Sequence, residues 1–231
     1  VCMTIMGRIM VILFRHQLLN PAQFGFNIDG STIEPIVIFN LMYEHALQNG
    51  RPAFHALLDS TCAFDTLLQI CIDPSLRRLG APEEVITVVR AFMAGHTRLV
   101  KTAHGRDVRA FAAMLESGTP QGLGASPGLW DIGVDFAADY ATSTPGGAPL
   151  TADGQHKNTL VLFADDSDIN DEAQGPCQQR TQRFVVASGT FGGRFTTPKC
   201  MLTYSPAAAR DGRPPPMHLV ALDAAGRWVW G

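Results

Sequence analysis

Two adjacent aspartates, Asp165 and Asp166, follow the apolar run of residues 160–164. A short apolar run that ends in turn residues is typical of a buried strand. Neighbouring carboxylates repel each other and raise each other's pKa, so the pair does not stabilise a strand end by itself. A divalent cation would remove that repulsion, because Mg²⁺ takes carboxylate oxygens as ligands. The pair therefore predicts a metal site at the end of a strand.

A second apolar run, residues 54–58, also ends in a carboxylate, Asp59. If the two runs are neighbouring strands, Asp59 and Asp165 would hold two Mg²⁺ ions, and Asp166 would share or tune one of them. Two such ions about 3.5–4 Å apart assist phosphoryl transfer, which depends more on positioning and charge stabilisation than on covalent chemistry. Each acid also has a structural interpretation: Asp59 could cap a helix, and the Asp165–Asp166 pair could be a solvated turn.

The chain between and around these runs predicts a mixture of helices and short strands. Residues 1–19 are helical in their apolar spacing, and residues 31–49 form a second helix that starts with a capping box at Ser31 and Glu34. We expect this second helix to bury a stripe made of Ile33, Ile36, Val37, Leu41 and Leu47. Further helices are predicted at 73–79, 82–94, 128–141 and 178–188, further strands at 99–102, 110–115 and 201–204, and a flexible surface loop at 143–158.

Composition sets bounds on the class of protein. The chain has 231 residues, of which 46% are hydrophobic, so it can bury a full core. Its net charge of −3 is unlike that of a free-standing nucleic-acid clamp, but it does not exclude a polymerase core with metal-binding acids. The five cysteines form no C-x-x-C pair, which indicates reduced thiols in an intracellular compartment, nuclear or cytoplasmic. The apolar stretch of residues 9–14 is far shorter than a membrane span, and the start at Val1 suggests a piece of a longer protein.

Five sequence blocks together resemble the reverse transcriptases of non-LTR (LINE-type) retrotransposons. Residues 59–65 match the pattern D-x-x-x-A-F-D, residues 118–127 resemble the block G-x-P-Q-G-x-x-x-S-P, and residues 163–166 are similar to the box F/Y-A-D-D. Residues 23–32 resemble the fingers motif, and residues 193–199 the last motif, which ends in lysine. Each block alone is weak, but all five occur in the order of the family.

The resemblance implies a role for each matching residue. Asp59, Asp165 and Asp166 would be the metal ligands, with Mn²⁺ as a possible substitute for Mg²⁺. Lys199 would give a proton to the leaving pyrophosphate, although a lone lysine at this place could also be solvated. Four residues would contact the substrate: Ser60, Phe64, Gln121 and Gly122.

Two of these substrate contacts have ordinary structural alternatives. Phe64 would lie under the incoming sugar and exclude a ribose 2′-hydroxyl, although it could equally pack in the core. Gln121 would touch the nascent pair or the template, or be a plain turn amide.

The resemblance also implies an architecture and partners. The fold class would be α+β, a right-hand polymerase palm made of an antiparallel sheet with helices on one face. Residues 1–50 would form partial fingers and residues 51–205 mainly the palm, followed by a proline-rich tail at 206–231. The partners would be an RNA template, a DNA primer and deoxynucleoside triphosphates, with no membrane, as part of a larger retroelement polyprotein.

Several positions depart from the family pattern. Asn27 stands where the family usually has arginine, and Cys62, Gly124 and Thr196 replace a usual lysine, proline and asparagine. We therefore keep a second interpretation, a catalytically decayed relic that retains the palm and binds nucleic acid weakly without turnover. An unrelated two-metal nuclease or phosphatase is the third, and it gives no role to Gln121 or Phe64. Processive synthesis by the 231 residues alone is not expected, since much of the grip on a primer and template comes from phosphate contacts elsewhere in such enzymes.

Overall fold

The structure is a computed structural model that describes residues 2–27, 30–94, 100–102, 105–107, 117–119, 124–195, 199–209, 220–222 and 228–230. Within these ranges the helices are α1 (Cys2–Arg15), α2 (Ile33–Gln48), α3 (Ala63–Thr66), α4 (Ile72–Arg78), α5 (Glu83–Met93), α6 (Ser126–Thr142) and α7 (Gln174–Thr190). The strands are β1 (Phe54–Asp59), β2 (Val100–Thr102), β3 (Gly105–Asp107), β4 (Ala148–Pro149), β5 (Lys157–Asn158), β6 (Leu160–Phe163), β7 (Asp166–Asp171), β8 (Met201–Tyr204), β9 (Val220–Leu222) and β10 (Trp228–Trp230).

The centre of the molecule is a four-stranded antiparallel sheet in the order β6-β7-β1-β8. Side chains alternate between the two faces of a strand, so β1 divides its residues between two environments. Phe54, Ala56 and Leu58 are buried in the main hydrophobic core, which also contains residues of α6 and α7. His55 and Asp59 therefore belong to the opposite face, which is the face that α2 approaches.

Helix α6 is the most buried helix of the core. Trp130, Leu129 and Ile132 are each exposed by 1% or less, and a Cβ added at Gly128 would lie within 3.0 Å of Met6 and Met10 of α1. A small residue at position 128 lets α1 approach α6 closely. The predicted helices at 1–19 and 128–141 are thus present, with ends shifted by a few residues.

The expected buried stripe of α2 is wrong. Ile33, Ile36, Val37, Leu41 and Leu47 are between 44% and 66% exposed. The buried residues of this helix are Met42, His45 and Ala46, and Phe39 packs on the ring of His55 at 4.7 Å between centroids. Apolar residues surround the first turns of α2 on all sides, so their spacing does not decide which side faces the sheet. The predicted capping box is present in part, because Glu34 Oε2 accepts a hydrogen bond from the Ser31 N–H at 3.2 Å.

Residues 143–158 are only in part the surface loop that we expected, since residues 152–157 are mostly exposed whereas residues 147–149 are buried. They contain the β4–β5 pair, and Ala148 is buried. The loop is tied down by Arg180 of α7, which is fully buried, donates to the carbonyls of Thr144 and Pro145, and pairs with Asp171 at 3.0 Å. A buried guanidinium is costly unless its donors have partners. The loop carbonyls, the Asn170 carbonyl and Asp171 accept from the two terminal nitrogens of Arg180, whereas its Nε has no partner among the described residues.

The N-terminal segment before α2 joins the sheet at its β6 edge. The N–H of Phe24 donates to the Leu162 carbonyl, and the N–H of Leu162 donates to the Ala22 carbonyl, both at 2.8 Å. This is a parallel bridge centred on Gln23 and Leu162. A segment from the start of the chain is thus hydrogen-bonded to the strand that precedes the two aspartates.

No helix in the described part of the chain is long and apolar enough to span a bilayer. Strands β9 and β10 pair with each other inside the segment predicted as a proline-rich tail, and β9 lies next to α7. The domain boundary at 205–206 stays a prediction.

Candidate functional site

The predicted acids lie at one end of the central sheet. Asp59 is the last residue of β1 and stands opposite Asp166, the first residue of β7, in the antiparallel register. Directly opposed residues of an antiparallel pair project from the same face with Cβ atoms about 4.5–5.5 Å apart. Phe163, the last residue of β6, pairs with Asp166, so the turn that joins β6 to β7 consists of Ala164 and Asp165. The structure therefore sets Asp59 directly opposite Asp166. The sharing of metal ions by Asp59 and Asp165, which we expected from the sequence, stays a prediction.

The turn has an unfavourable backbone conformation. Ala164 has a φ of +57°, which is rare for a residue with a Cβ atom. Such a conformation costs on the order of 1–3 kcal/mol and persists only where the surroundings determine it. Hairpins with two-residue connections require positive φ in this turn, and glycine or asparagine usually provides it.

An open cavity of about 460 Å³ borders Asp59 and Asp166. One side of it is formed by α2, through Pro35, Ile36 and Phe39, and the other by the face of the sheet that bears Asp59, Asp166 and Asp168. Lys199 completes the wall at the end near Asp59. The cavity thus has an apolar part under α2 and a charged part at the strand ends.

The charges at this end of the sheet are unbalanced. Partial burial raises the pKa of the Asp166 carboxyl, and the negative charges of Asp165 and Asp59 raise it further, whereas Lys199 acts in the opposite direction. Lys199 Nζ lies 3.3 Å and 3.4 Å from the two carboxylate oxygens of Asp59. With 55% and 39% of these side chains exposed, the ion pair contributes little to stability. Two carboxylates thus oppose the ionisation of Asp166 while one lysine favours it, and this local excess of negative charge attracts cations.

The residues present fit a divalent cation of the magnesium type. Among the described residues no group of three or more histidine, cysteine or acidic side chains is already arranged around one point. Mg²⁺ does not require such a group, because it is bound through one or two carboxylates and keeps waters or substrate phosphates as its other ligands. Asp59 and Asp166 could provide those carboxylates. Asp165 directly precedes Asp166 in the chain.

The two predicted substrate contacts that follow β1 differ in exposure. Ser60 is 5% exposed and forms a β-bridge with Phe195, so its backbone continues the sheet beyond Asp59. Phe64 is half-buried, with ring centroids 6.1 Å from Phe26 and 5.8 Å from Trp130. Its packing in an aromatic group is therefore observed, and the sugar contact stays a prediction.

Gln121 and Gly122 lie outside the described residues. The start of their block is described and contacts the α3 region: the Thr119 N–H donates to the Phe64 carbonyl at 2.7 Å, and the Gly118 N–H to the Leu67 carbonyl at 2.6 Å. The block therefore begins beside Phe64.

Two features of the site were not predicted from the sequence. Gln23 is buried and its side-chain amide contacts the backbone of Ala164 in the turn. His55 of β1 is fully buried, and its Nδ1 lies 3.1–3.2 Å from both carboxylate oxygens of Asp168 on β7. The His55 Nε2 has no hydrogen-bond partner among the described residues. The place of Gln23 in the fingers block was the available signal that Gln23 could matter to the site. For His55 the available signal was the alternation of side chains along β1, which puts His55 on the same face as Asp59.

Comparisons with known proteins agree with the resemblance to reverse transcriptases. No protein-family model matches the chain. Over 151 residues, 64% of this chain, it is 28% identical to the retrovirus-related Pol polyprotein from the type-1 retrotransposable element R2 of Popillia japonica. The match spans 20% of that polyprotein.

Solved telomerase structures have the same fold. Telomerase from Candida tropicalis in complex with the TWJ fragment of telomeric RNA gives a TM-score of 0.66 at 12% identity, over 98% of this chain and 37% of that one. The apo form truncated from its C-terminal domain gives 0.61 at 12% identity, over 96% and 42%. The predicted α+β polymerase fold is confirmed. The chain resembles retrotransposon reverse transcriptases and spans about a fifth of the curated relative's length.

Proposed function

We propose that this chain, which is similar to a retrotransposon Pol polyprotein and folds as telomerase does, carries the nucleotidyl-transfer centre of an RNA-directed DNA polymerase. The observation that supports this most directly is the pairing of Asp59 with Asp166 beside an open cavity, at the end of two strands far apart in sequence. The substrates would be a deoxynucleoside triphosphate and a DNA primer on an RNA template. The chain would act within a larger polyprotein, as its relative is one.

In the proposed reaction the primer 3′-hydroxyl gives its proton to water, and its oxygen attacks the α-phosphorus of the triphosphate. The bond from that phosphorus to the leaving pyrophosphate breaks. Asp59, Asp165 and Asp166 would together hold two Mg²⁺ ions. When bound, these ions supply Lewis-acid stabilisation of the charge that develops during phosphoryl transfer. Mn²⁺ would be accepted in their place because its oxygen ligands are the same.

Other residues would act on the substrate around this centre. Lys199, whose ammonium lies at the wall of the cavity, would give a proton to the leaving pyrophosphate. Phe64 would contact the sugar and exclude a 2′-hydroxyl, and its packing against Trp130 would keep the ring in place. Ser60, Gln121 and Gly122 would complete the substrate contacts, as the resemblance implies.

A decayed palm without turnover is the second candidate, and the departures in the fingers block favour it. Asn27 replaces an arginine that could bind a phosphate through two hydrogen bonds, and a neutral amide does not provide that charge. The two candidates share the fold and differ in whether the acids support chemistry.

Primer extension tests the proposal. With Mg²⁺, a primed RNA template and deoxynucleotides, we expect extension by a protein in which this chain is joined to its flanking polymerase segments. Asp59→Asn and Asp166→Asn should each reduce the rate by roughly 10³-fold, the equivalent of several kcal/mol of lost charge stabilisation.

Asp153→Asn is the matched control, because it removes one carboxylate from an exposed turn remote from the site, where Asp153 accepts from Thr151. Its rate should equal that of the parent protein. Equal extension by the parent and by both site variants would reject the metal centre, and a complete lack of extension by the parent would favour the relic.

A further inference from the structure

The side-chain amide of Gln23 is a buried contact to the turn that carries the acids. Gln23 is 6% exposed. Its Oε1 accepts hydrogen bonds from the Ala164 N–H at 3.2 Å and from the Gly25 N–H at 2.8 Å, and its Nε2 donates to the Ala164 carbonyl at 3.4 Å. The backbone amide and carbonyl of Ala164 therefore both contact one side chain from a segment 141 residues earlier in the chain.

Other groups hold the same turn from two further directions. Trp130 of α6 donates its Nε1–H to the Ala164 carbonyl at 2.8 Å. A Cβ added at Gly25 would lie 2.2 Å from the Ala164 nitrogen and 2.9 Å from its Cα, so the segment around Gly25 packs directly on the turn. Only a residue without a side chain allows this approach.

The turn needs such support because its conformation is unfavourable. Ala164, with its φ of +57°, is neither glycine nor asparagine. A residue in this conformation persists only where neighbouring groups determine it. Asp165 follows Ala164 directly, so a rotation of the peptide between them would change the direction of the Asp165 carboxyl and the start of β7 at Asp166.

We propose that Gln23 is a positioning residue that holds the Ala164 turn and thereby sets the carboxyl groups of Asp165 and Asp166 against Asp59. This inference rests on the proposed function, in which those carboxyls bind divalent cations. In this proposal a residue of the fingers block orients the acids of the palm, through hydrogen bonds to the backbone of Ala164, which precedes them. Outer groups that orient ligands typically change metal affinity by 10–100-fold when they are removed.

The first measurement tests the hydrogen bond without metal. Gln23→Met has a similar length and no amide, so the Ala164 N–H loses its acceptor. We expect its hydrogen exchange, followed by NMR on the ¹⁵N-labelled chain, to become at least about tenfold faster than in the parent chain, as expected when a local opening becomes easier. Unchanged exchange at Ala164 would overturn the proposal.

The second measurement tests positioning. The Mn²⁺ dissociation constant of the chain is measured by electron paramagnetic resonance for the parent, Gln23→Met and Gln69→Met. Gln69 is the matched control, because its Nε2 also donates to a backbone carbonyl, that of Gly118, away from the acids. We expect affinity to fall by roughly 10-fold or more in Gln23→Met and to stay within about twofold in Gln69→Met.

A second variant keeps the amide and disturbs the turn. Gly25→Ala keeps the Gln23 side chain but puts a methyl group 2.2 Å from the Ala164 nitrogen and 3.0 Å from Gln23 Oε1, so it should weaken Mn²⁺ binding to a similar degree. Circular dichroism and the thermal midpoint identify any variant that has lost its fold. Folded Gln23→Met and Gly25→Ala chains with parental Mn²⁺ affinity would overturn the inference.

Asp59→Asn and Asp166→Asn separate the two proposals. If they weaken Mn²⁺ binding and the Gln23 and Gly25 variants do not, the metal site stands and the positioning role is rejected. If they leave Mn²⁺ binding unchanged, the metal site itself is rejected, and the positioning role with it.

Discussion

At the scale of single residues, the carboxyl groups of this protein differ because their surroundings differ. Asp59 is 39% exposed and faces Lys199, whereas Asp166 has other carboxylates as its main neighbours. Asp131 of α6 is a third case: it is 1% exposed, and neither carboxylate oxygen has a hydrogen-bond partner among the described residues. Burial raises its pKa well above the ordinary value, and the charge of Asp135 adds to the effect. Asp131 is therefore a cost to stability wherever it is ionised.

Replacement of Asp131 should reveal this cost as a pH dependence. The folded chain keeps a proton on Asp131 at pH values where the unfolded chain has lost it, so stability falls as pH rises from the ordinary carboxyl pKa to the raised one. Asp131→Asn, which is neutral at every pH, should raise the free energy of unfolding at pH ~7 by about 1–3 kcal/mol. Near pH ~4, about the pKa of an ordinary aspartate, the difference should vanish.

Urea denaturation at both pH values measures the effect. Asp139→Asn on the same helix is the control, since the Asp139 side chain is 47% exposed and its pair with Arg78 is worth little. A stability gain for Asp131→Asn that is equal at the two pH values would contradict the account, because it would not come from ionisation.

At the scale of elements, the orientation of α2 depends on the residues of other elements that pack against it. Phe39 packs on the ring of His55, while the predicted stripe through Ile33, Val37 and Leu41 is exposed. Arg180 of α7 has a comparable effect, since its buried ion pair with Asp171 and its hydrogen bonds to the carbonyls of Thr144 and Pro145 hold the start of the loop of residues 143–158 beside the end of β7. In both cases a contact with another element decided what local spacing left open.

Two neighbouring positions of α2 test this orientation. Leu41 is 44% exposed and Met42 is 1% exposed, although both are large apolar residues. Leu41→Lys should change the free energy of unfolding by no more than about 0.5 kcal/mol. Met42→Lys should reduce it by about 3 kcal/mol or more, because it removes a core side chain and buries a charge.

Thermal and urea denaturation of the two variants give the comparison directly. The order Met42→Lys much less stable than Leu41→Lys is expected from the observed orientation. The reverse order would support the stripe that we predicted from sequence and would contradict the position of α2.

At the scale of the whole molecule, the site is assembled from segments that are far apart in the chain. Asp59 ends β1, Asp166 begins β7, and Lys199 lies just before β8, while Gln23 reaches the turn from a segment before α2. The hydrophobic core takes side chains from α1, α4, α5, α6 and α7 and from strands β1, β6 and β7. We therefore expect the fold to depend on this packing rather than on a bound ion.

Metal removal should separate stability from activity. We expect EDTA to abolish primer extension and to lower the thermal midpoint of the chain by no more than about 5 °C, which is the stabilisation that a moderately occupied site supplies. An Asp59→Asn/Asp166→Asn double variant should show no midpoint change with EDTA. Cooperative unfolding of the parent on chelation would instead mean that the ion is required for folding.

The sequence by itself determined the apolar strands that precede the acids, most helix bounds and the resemblance to reverse transcriptases. These follow from local patterns, since an apolar run, a turn pair or a capping box is complete within a few residues. The tertiary structure alone decided three features: the buried side of α2, the register that sets Asp59 opposite Asp166, and the hydrogen bonds of Gln23 to Ala164. Each of these is a contact between segments that are distant in the chain. Its stabilisation comes from the packing of two surfaces against each other, and the local conformational propensity of either segment does not predict it.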